Sequence, residues 1–530
     1  MRGVVVAPQP PAAEAGATAL RAGGNAFDAA VATAFVQCAT DPFMCGIGGI
    51  GVAQIFEGAT GTATILDFYG RIGSRARPDQ WAGRVRRTRE GRTWVADFAN
   101  AVGYGAILIP ATVAGLAAIH TRGRLPWRDL LQPAITLLRD GFPAPAYLPD
   151  YFVATHQYPS GDHFPPFERF IRTTPAFARL WLDQDGVPHR VGDPLANPDY
   201  AATLACLADD GPDAFYRGAI AARMVDDFAA HDAPITAADL ADCRTIERVP
   251  LRLAYRGHVV STAPPGGVTL LQLLGLLASD DVATLGRDSP DYLHLLALAL
   301  RVAFGERAKL TGETDDGTLA RFLAPTRLAE LRERLHAGVV PDREVVADPG
   351  TTHLTVADRD GNVVALTHTL SLGSGVVTPG LGFQYNNGMA GFDPLPGRPR
   401  SIAPGRARLT PMAPTIVLRD ERPVIALGSP GSNAIIGAIG QVLVNLLDFG
   451  LDPLAAVSAP RLHGEGGPLL LETRLPAAAV AALAARGWAL RPRPFAYDAL
   501  QGRVQLAVRT ADGWVGASDP RRDGGIAAYE

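Results

Sequence analysis

Two arms of β-branched and apolar residues, Thr351–Asp358 and Val363–Thr369, flank the polar stretch Arg359-Asp360-Gly361-Asn362. Each arm has the length and composition of a strand, and Asp360-Gly361 is the kind of dipeptide that closes a two-residue hairpin. That turn predicts a register with Thr352 across from Thr369 and Thr351 at the open end. Elsewhere the spacing is helical. Alanines and leucine recur at helical spacing over Ala12–Ala22 and stop at Gly23-Gly24, and Asn25 is placed to cap a helix over Phe27–Cys38. Further helices are predicted over Pro126–Arg139, Tyr200–Leu207, Ile220–Ala230, Thr269–Leu277, Ser289–Leu310 and Arg327–Ala337, all upstream of Gly350. Downstream, strands are predicted over Thr415–Leu418, Val424–Leu427, Leu469–Glu472 and Val504–Arg509, with helices over Ala434–Leu446 and Ala477–Ala485. Helices on both sides of Gly350 and strands concentrated after it imply sheets covered by helices, an α+β class.

Composition agrees with a globular protein. At 530 residues, 47% hydrophobic and 19% charged, the chain can bury one large core or two intimately joined ones. Net charge is −4, and Lys309 is the single lysine among many arginines. The basic stretch Arg71–Arg92 is broken by Asp79 and Glu90 and reads as a solvated loop or helix face, so no nucleic-acid partner is expected. The four cysteines (Cys38, Cys45, Cys206, Cys243) form no Cys-x-x-Cys pair, and no His-Glu-x-x-His occurs, so neither a metal nor any other cofactor is expected. Sparse cysteines suit a reducing compartment. With no signal-peptide pattern before Gly3-Val4-Val5 and no membrane-length apolar run, a cytoplasmic enzyme with no membrane partner is expected.

The candidate chemistry sits at the open end of the hairpin. A threonine at a strand start directly after glycine is where a self-cleaving amidase places its nucleophile. Cutting Gly350-Thr351 would give the hydroxyl a free α-amine as its own base. Two competing motifs fall away. Gly46-Ile47-Gly48-Gly49-Ile50-Gly51 matches a dinucleotide fingerprint, but it follows a helical pattern and precedes a strand, the reverse of what phosphate binding needs. It reads instead as a tight turn where backbones approach closely. No G-x-S-x-G serine elbow is present. His353 and His368 alternate with apolar positions and read as packed strand histidines.

The order of several short segments resembles one family throughout. Gly3-Val4-Val5-Val6-Ala7-Pro8, Gly23-Gly24-Asn25-Ala26-Phe27-Asp28 and Gly46–Gly49 come first, followed by Ala263-Pro264-Pro265-Gly266-Gly267 and Thr351-Thr352-His353. Asn386-Asn387, Pro414-Thr415-Ile416-Val417, Gly428-Ser429-Pro430-Gly431, Ala459-Pro460-Arg461 and Ala517-Ser518-Asp519-Pro520-Arg521 follow. Together they resemble the γ-glutamyltransferases, from about residue 3 to the C-terminus. The resemblance implies an N-terminal-nucleophile hydrolase fold, a four-layer αββα sandwich of two stacked sheets between helical layers. It implies a large subunit of residues 1–350 and a small subunit of residues 351–530, cut at Gly350-Thr351 but interwoven as one heterodimer. The polar stretch Val339–Pro349 before the cut is expected to be exposed. By the same resemblance Thr351 is the nucleophile, Thr369 supports it, and the backbone N–H groups of Gly431 and Ser432 form the oxyanion hole.

At the substrate end the chain departs from that pattern. Asn387 and Gly388 fall within the family's substrate-binding segment. Gly391 stands where the family carries an Asp for the substrate α-amine, and Ser371 where it carries an Asn. Thr410-Pro411 replaces the paired serines for the α-carboxylate, and no arginine lies between Trp94 and Gly105, where the family's carboxylate-binding arginine would stand. Missing partners for a buried ammonium or carboxylate cost several kcal/mol of recognition. The expected substrate is therefore a small amide without the glutamyl zwitterion, such as an amide of a dicarboxylic acid, as in the cephalosporin acylase-like and oxamate amidohydrolase-like branches. Water or an amine is the expected acceptor. Two alternatives stand beside it: a γ-glutamyltransferase or glutathione hydrolase with substitute anchors, and an unprocessed, non-catalytic binding protein on the same fold.

Overall fold

The hairpin lies at the middle of a seven-stranded antiparallel sheet. A computed structural model of the chain describes residues 3–87, 93–148, 167–338 and 350–529. Across the sheet the strands run Gly525–Tyr529, Gly3–Ala7, Thr352–Ala357, Val363–Thr369, Ile50–Glu57, Thr62–Phe68 and Ile246–Arg248. Every residue of both hairpin strands is buried, which explains why the arms read as unbroken apolar runs and not as alternating ones. A second, six-stranded sheet runs Gly513–Ser518, Gln505–Thr510, Arg422–Gly428, Thr415–Arg419, His258–Thr262 and Leu251–Tyr255. Val4, Val6, Ala357 and Val363 of the first sheet share an apolar cluster with Ile416, Leu418, Ala426, Ala507 and Trp514 of the second.

Helices complete the apolar clusters of both sheets. Pro10–Arg21 and Ala26–Thr40 join Val5, Ala53, Leu66, Leu354 and Leu366 in one cluster. All of Ala26–Thr40 is buried, as an all-round apolar helix must be. Asn25 caps it as expected: its Oδ1 accepts from Phe27 N–H and Asp28 N–H, and Asp28 accepts from Asn25 N–H in return. Gly266–Leu277, Pro290–Arg307 and Ala434–Leu447 join Val260, Val417, Leu427 and Leu506 of the second sheet. The predicted helices are present within a few residues of their expected bounds.

Three expectations need correction. The segment upstream of Gly350 is less purely helical than its spacing suggests: it supplies four strands to the first sheet and two to the second. The hairpin register is Thr352 opposite His368, one step from the expected pairing. The cause is Asp358, whose carboxylate accepts from the N–H groups of Asp360 and Asn362, from Asn362 Nδ2 and from Ala26 N–H. A five-residue loop from Asp358 to Asn362 thereby replaces the two-residue turn, with Gly361 at φ +85°. The basic stretch after Arg71 holds a short strand pair, Val85–Arg87 with Thr93–Val95; positions 88–92 lie outside the described residues. Arg75, Arg77, Arg84 and Arg86 are exposed, as a solvated surface requires. Residues 339–349, expected to be exposed, also lie outside the described residues. Among the described residues, no helix is long and apolar enough to cross a membrane.

Candidate active site

The corrected register sharpens the site. One step beyond the Thr352–His368 pair, Thr351 stands across from Thr369, and their Oγ1 atoms lie 3.1 Å apart. Both hydroxyls reach the carbonyl of Gly350, Thr369 at 2.5 Å. Ser371 N–H donates to Thr369 Oγ1 at 2.7 Å, which occupies a lone pair on that oxygen and leaves its proton for Gly350 or Thr351. Ser371 takes a left-handed backbone, φ +61°, to aim that N–H inward. Gly350 must be glycine here, since a Cβ would fall 1.2 Å from the Ser371 carbonyl oxygen. Thr351 and Thr369 are both buried.

Valine at 369 keeps the shape of threonine, removes its hydroxyl and leaves the buried Ser371 N–H without an acceptor. The unmet donor costs about 1–3 kcal/mol. Thr369→Val is expected to stay folded with that loss of stability and to turn over amide substrate roughly 10–100-fold more slowly. Steady-state kinetics alongside a denaturant titration separate the two effects, and unchanged rates would remove Thr369 from the site.

The glycine turn at residues 46–51 braces this end of the sheet. Cβ atoms would meet Gln384 O at 2.4 Å from Gly48 and Thr369 O at 2.5 Å from Gly49, so the turn lets three backbones pack together beside Thr369. Asn387, expected to bind substrate, is committed to structure: it accepts from Leu372 N–H at 3.0 Å and donates to Ala101 O at 3.0 Å. Asn386 likewise ties Gly48 and Leu108. Gly388 packs against Leu108, where a Cβ would meet Cδ1 at 2.4 Å.

Gly391 opens space for a residue that the sequence analysis passed over. A Cβ at Gly391 would fall 1.9 Å from Arg408 Nε, and Arg408 Nη1 donates to Ser371 Oγ at 2.7 Å. An arginine thus occupies the corner where the resemblance places an acidic residue. The local signal was its position two residues before Thr410. Arg307 lies in the same electrostatic neighbourhood: burial above all, with repulsion from Arg400 and Arg408, pushes its guanidinium down to about 10. Its Nη1 is buried and has no hydrogen-bond partner among the described residues. Thr410 Oγ1 accepts from Met412 N–H at 3.0 Å, and Pro411 abuts Gly266. A cleft of about 1000 Å³ opens beside Arg408 and Thr410, with Pro265, Arg71 and Asp67 also on its wall.

The turn after Arg422–Gly428 starts against the hairpin. Gly428 packs on His353, where a Cβ would lie 2.1 Å from Cε1. His353 is held between Thr367 Oγ1 (2.8 Å) and Thr355 Oγ1 (3.1 Å), and burial pushes it down to about 3, so it is neutral and locked. Gly431 (φ +128°) and Ser432 (φ +53°) follow and lead into Ala434–Leu447. Among the described residues, neither of their N–H groups has an acceptor, and both precede the positive end of a 14-residue helix. Ser432 thus adopts a conformation usually reserved for glycine. Gly431 lies against Gly502, whose carbonyl accepts from Arg461 Nη1 at 3.1 Å. Arg461 pairs with Asp519 at 2.7 Å, and Arg521 bridges Asp519 (2.9 Å) and Glu472 (2.6 Å), all four residues being fully buried.

The cysteines also come together in a way their spacing does not show. They form no sequence pair, yet Cys38, Cys45 and His368 converge in space, with their Sγ and ring nitrogen atoms within 4.8 Å of one another.

Comparison with known proteins identifies the family. A family model described as Gamma-glutamyltranspeptidase matches residues 12–529. The chain is 37% identical over 504 residues to the "Acylase ACY 1 proenzyme" of Pseudomonas sp. (strain SE83), covering 92% of this chain and 87% of that protein. It is 31% identical over 492 residues to the "Glutathione hydrolase proenzyme" of Bacillus subtilis (strain 168), covering 87% and 80%. Among solved structures, cephalosporin acylase from Bacillus halodurans superposes with a TM-score of 0.85 at 26% identity, over 100% of this chain and 96% of that one. The protein is thus an enzyme, an amide hydrolase or acyltransferase of the γ-glutamyltransferase type. The chain belongs to the gamma-glutamyltranspeptidase family.

Proposed function

We propose that the enzyme is a self-processing N-terminal-threonine amidohydrolase or acyltransferase built as a four-layer αββα sandwich. The observation that carries this reading is the Thr351 hydroxyl beside the Gly350 carbonyl, 3.1 Å from Thr369 Oγ1. In the uncut chain Thr351 Oγ1 attacks the Gly350 carbonyl carbon, the acyl group shifts from nitrogen to oxygen, and water hydrolyses the ester. Residues 1–350 and 351–530 remain as two chains of one heterodimer, and Thr351 gains a free α-amine. In the mature enzyme that amine takes the hydroxyl proton as Oγ1 attacks a substrate amide. The N–H groups of Gly431 and Ser432 stabilise the oxyanion. The leaving amine departs with a proton, and water or an acceptor amine takes the acyl group. The names of the relatives, acylase proenzyme and glutathione hydrolase proenzyme, support both the chemistry and the maturation step.

The acyl pocket favours a carboxylate-ended acyl group over a glutamyl zwitterion. Arg408, on the wall of the cleft, supplies positive charge, and Gly391 supplies no carboxylate for an ammonium. A direct comparison uses γ-glutamyl anilide, the matching glutaryl anilide, and oxamate. The glutaryl compound is expected to have the highest kcat/KM, by about tenfold or more over the γ-glutamyl one. Arg408→Met should reduce the glutaryl rate about 10–100-fold, the worth of a hydrogen bond to a charged group. A γ-glutamyl preference that survives Arg408→Met would reassign the enzyme as a glutathione-type hydrolase.

A further inference from the structure

Beneath the catalytic strand lies a group of side chains that the proposed reaction does not use. Cys38 closes the buried helix Ala26–Thr40, Cys45 sits on the loop that follows, and His368 precedes Thr369 on its strand. All three are fully buried, and Cys38 Sγ lies 3.9 Å from His368 Nδ1. In a tetrahedral zinc site with Zn–S near 2.3 Å and Zn–N near 2.0 Å, neighbouring ligand atoms are about 3.5–3.8 Å apart. The three atoms need only small side-chain adjustments to reach that spacing.

The surroundings orient the histidine as a ligand. Gln37 Nε2 faces three oxygens, Gln9 Oε1, Thr352 Oγ1 and His353 O, which turns Gln37 Oε1 toward His368 Nε2 at 2.9 Å. His368 therefore carries its proton on Nε2 and presents the Nδ1 lone pair toward Cys38. A ring N–H donated to a carbonyl opposite the ligating nitrogen is the usual support of a metal-binding histidine. A cavity of about 30 Å³, room for a water, adjoins the sulfurs and is lined by Cys38, Cys45, Tyr200 and Gln384. Tyr200 Oη, buried in the field of both thiols, makes no well-formed hydrogen bond among the described residues, and neither does Gln384 Oε1. Asp41 is not the missing ligand, because Gln9, Tyr147 and Arg522 already engage its carboxylate.

We propose that Cys38, Cys45 and His368 form a structural zinc site, completed by a water in the adjoining cavity or by Tyr200. Two thiols lose their protons to solvent on binding, and two thiolates neutralise the divalent ion, so the buried site carries no net charge. The ion would clamp the end of the buried helix to the strand that carries Thr369.

Protein produced in zinc-supplemented medium is expected to keep about one zinc per chain through gel filtration, measured by elemental analysis. Protein produced with cobalt instead should show sulfur-to-cobalt charge-transfer absorption and the visible bands of tetrahedral Co²⁺. Cys38→Ser and Cys45→Ser should each lose these signals, whereas Cys206→Ser, outside the cluster and its cavity, should retain them. The cobalt spectrum of the wild type keeps the test decisive even where a variant fails to fold. Wild-type protein with neither metal nor spectrum would overturn the proposal. So would zinc retained by a Cys38→Ala/Cys45→Ala double variant, or a Cys38–Cys45 disulfide revealed by thiol counting and peptide mass.

Discussion

Thr351→Ala is expected to accumulate as one uncut chain and to lose amide turnover by at least about a thousandfold, the scale seen when a covalent nucleophile is removed. The geometry gives the reason. No other hydroxyl stands where Thr351 does: Thr369 reaches Gly350 O at 2.5 Å, but its oxygen is already held by Ser371 N–H at 2.7 Å. Thr351→Ser keeps the reacting oxygen and should mature, more slowly, to the same two chains. Intact-mass measurement and N-terminal sequencing decide the matter. A Thr351→Ala sample that still divides between residues 350 and 351 would refute the assigned role.

The second large effect concerns stability. Asp519 accepts from Val504 N–H at 3.0 Å and joins Arg461 and Arg521 in a network with almost no solvent contact. Removing one partner strands buried charge, so Asp519→Ala is expected to cost about 3–5 kcal/mol. The uncut Thr351→Ala background makes unfolding unimolecular and a urea titration interpretable. The wild-type network also carries a pH signature. Burial alone would raise the Asp519 carboxyl, but Arg461 and Arg521 hold it below the usual aspartate range. A carboxyl held low when folded contributes stability that is complete above about pH 4 and lost as pH falls further. Asp519→Asn should flatten that acid limb, and an unaltered limb would show that other carboxyls govern it.

How much of this was legible in the sequence varied by element. The capped helix after Asn25 and the paired arms around Gly361 were readable because local chemistry fixes them: a side-chain cap in one case, apolar runs and turn residues in the other. The register was misread by one step because Asp358 reaches both down its own loop and across to Ala26, a contact far away in sequence. The closeness of Thr351 and Thr369 was legible from motif and turn together. Arg408 was not, since its meaning depends on the empty space above Gly391 and on Ser371, neither of which is near it in sequence. The Cys38, Cys45 and His368 cluster was equally hidden, because its members come from a helix, a loop and a strand. Arg461, Asp519 and Arg521 stood out as motif residues, but their role in holding Gly502 against Gly431 emerges only in three dimensions.

The strand order has a consequence for how the protein lives after a cut at Gly350. Gly3–Ala7 is threaded between Gly525–Tyr529 and Thr352–Ala357, and Val363–Thr369 is flanked by Ile50–Glu57. Severing one peptide bond breaks none of these ladders, so the two pieces have no surface along which to part. Their separation is equivalent to denaturation. Folding, by contrast, changes its molecularity: a single chain assembles these sheets alone, whereas two released pieces must first meet, and their yield falls with dilution. Maturation would thus act as a ratchet, cheap to pass while the structure is intact and hard to reverse once it is lost.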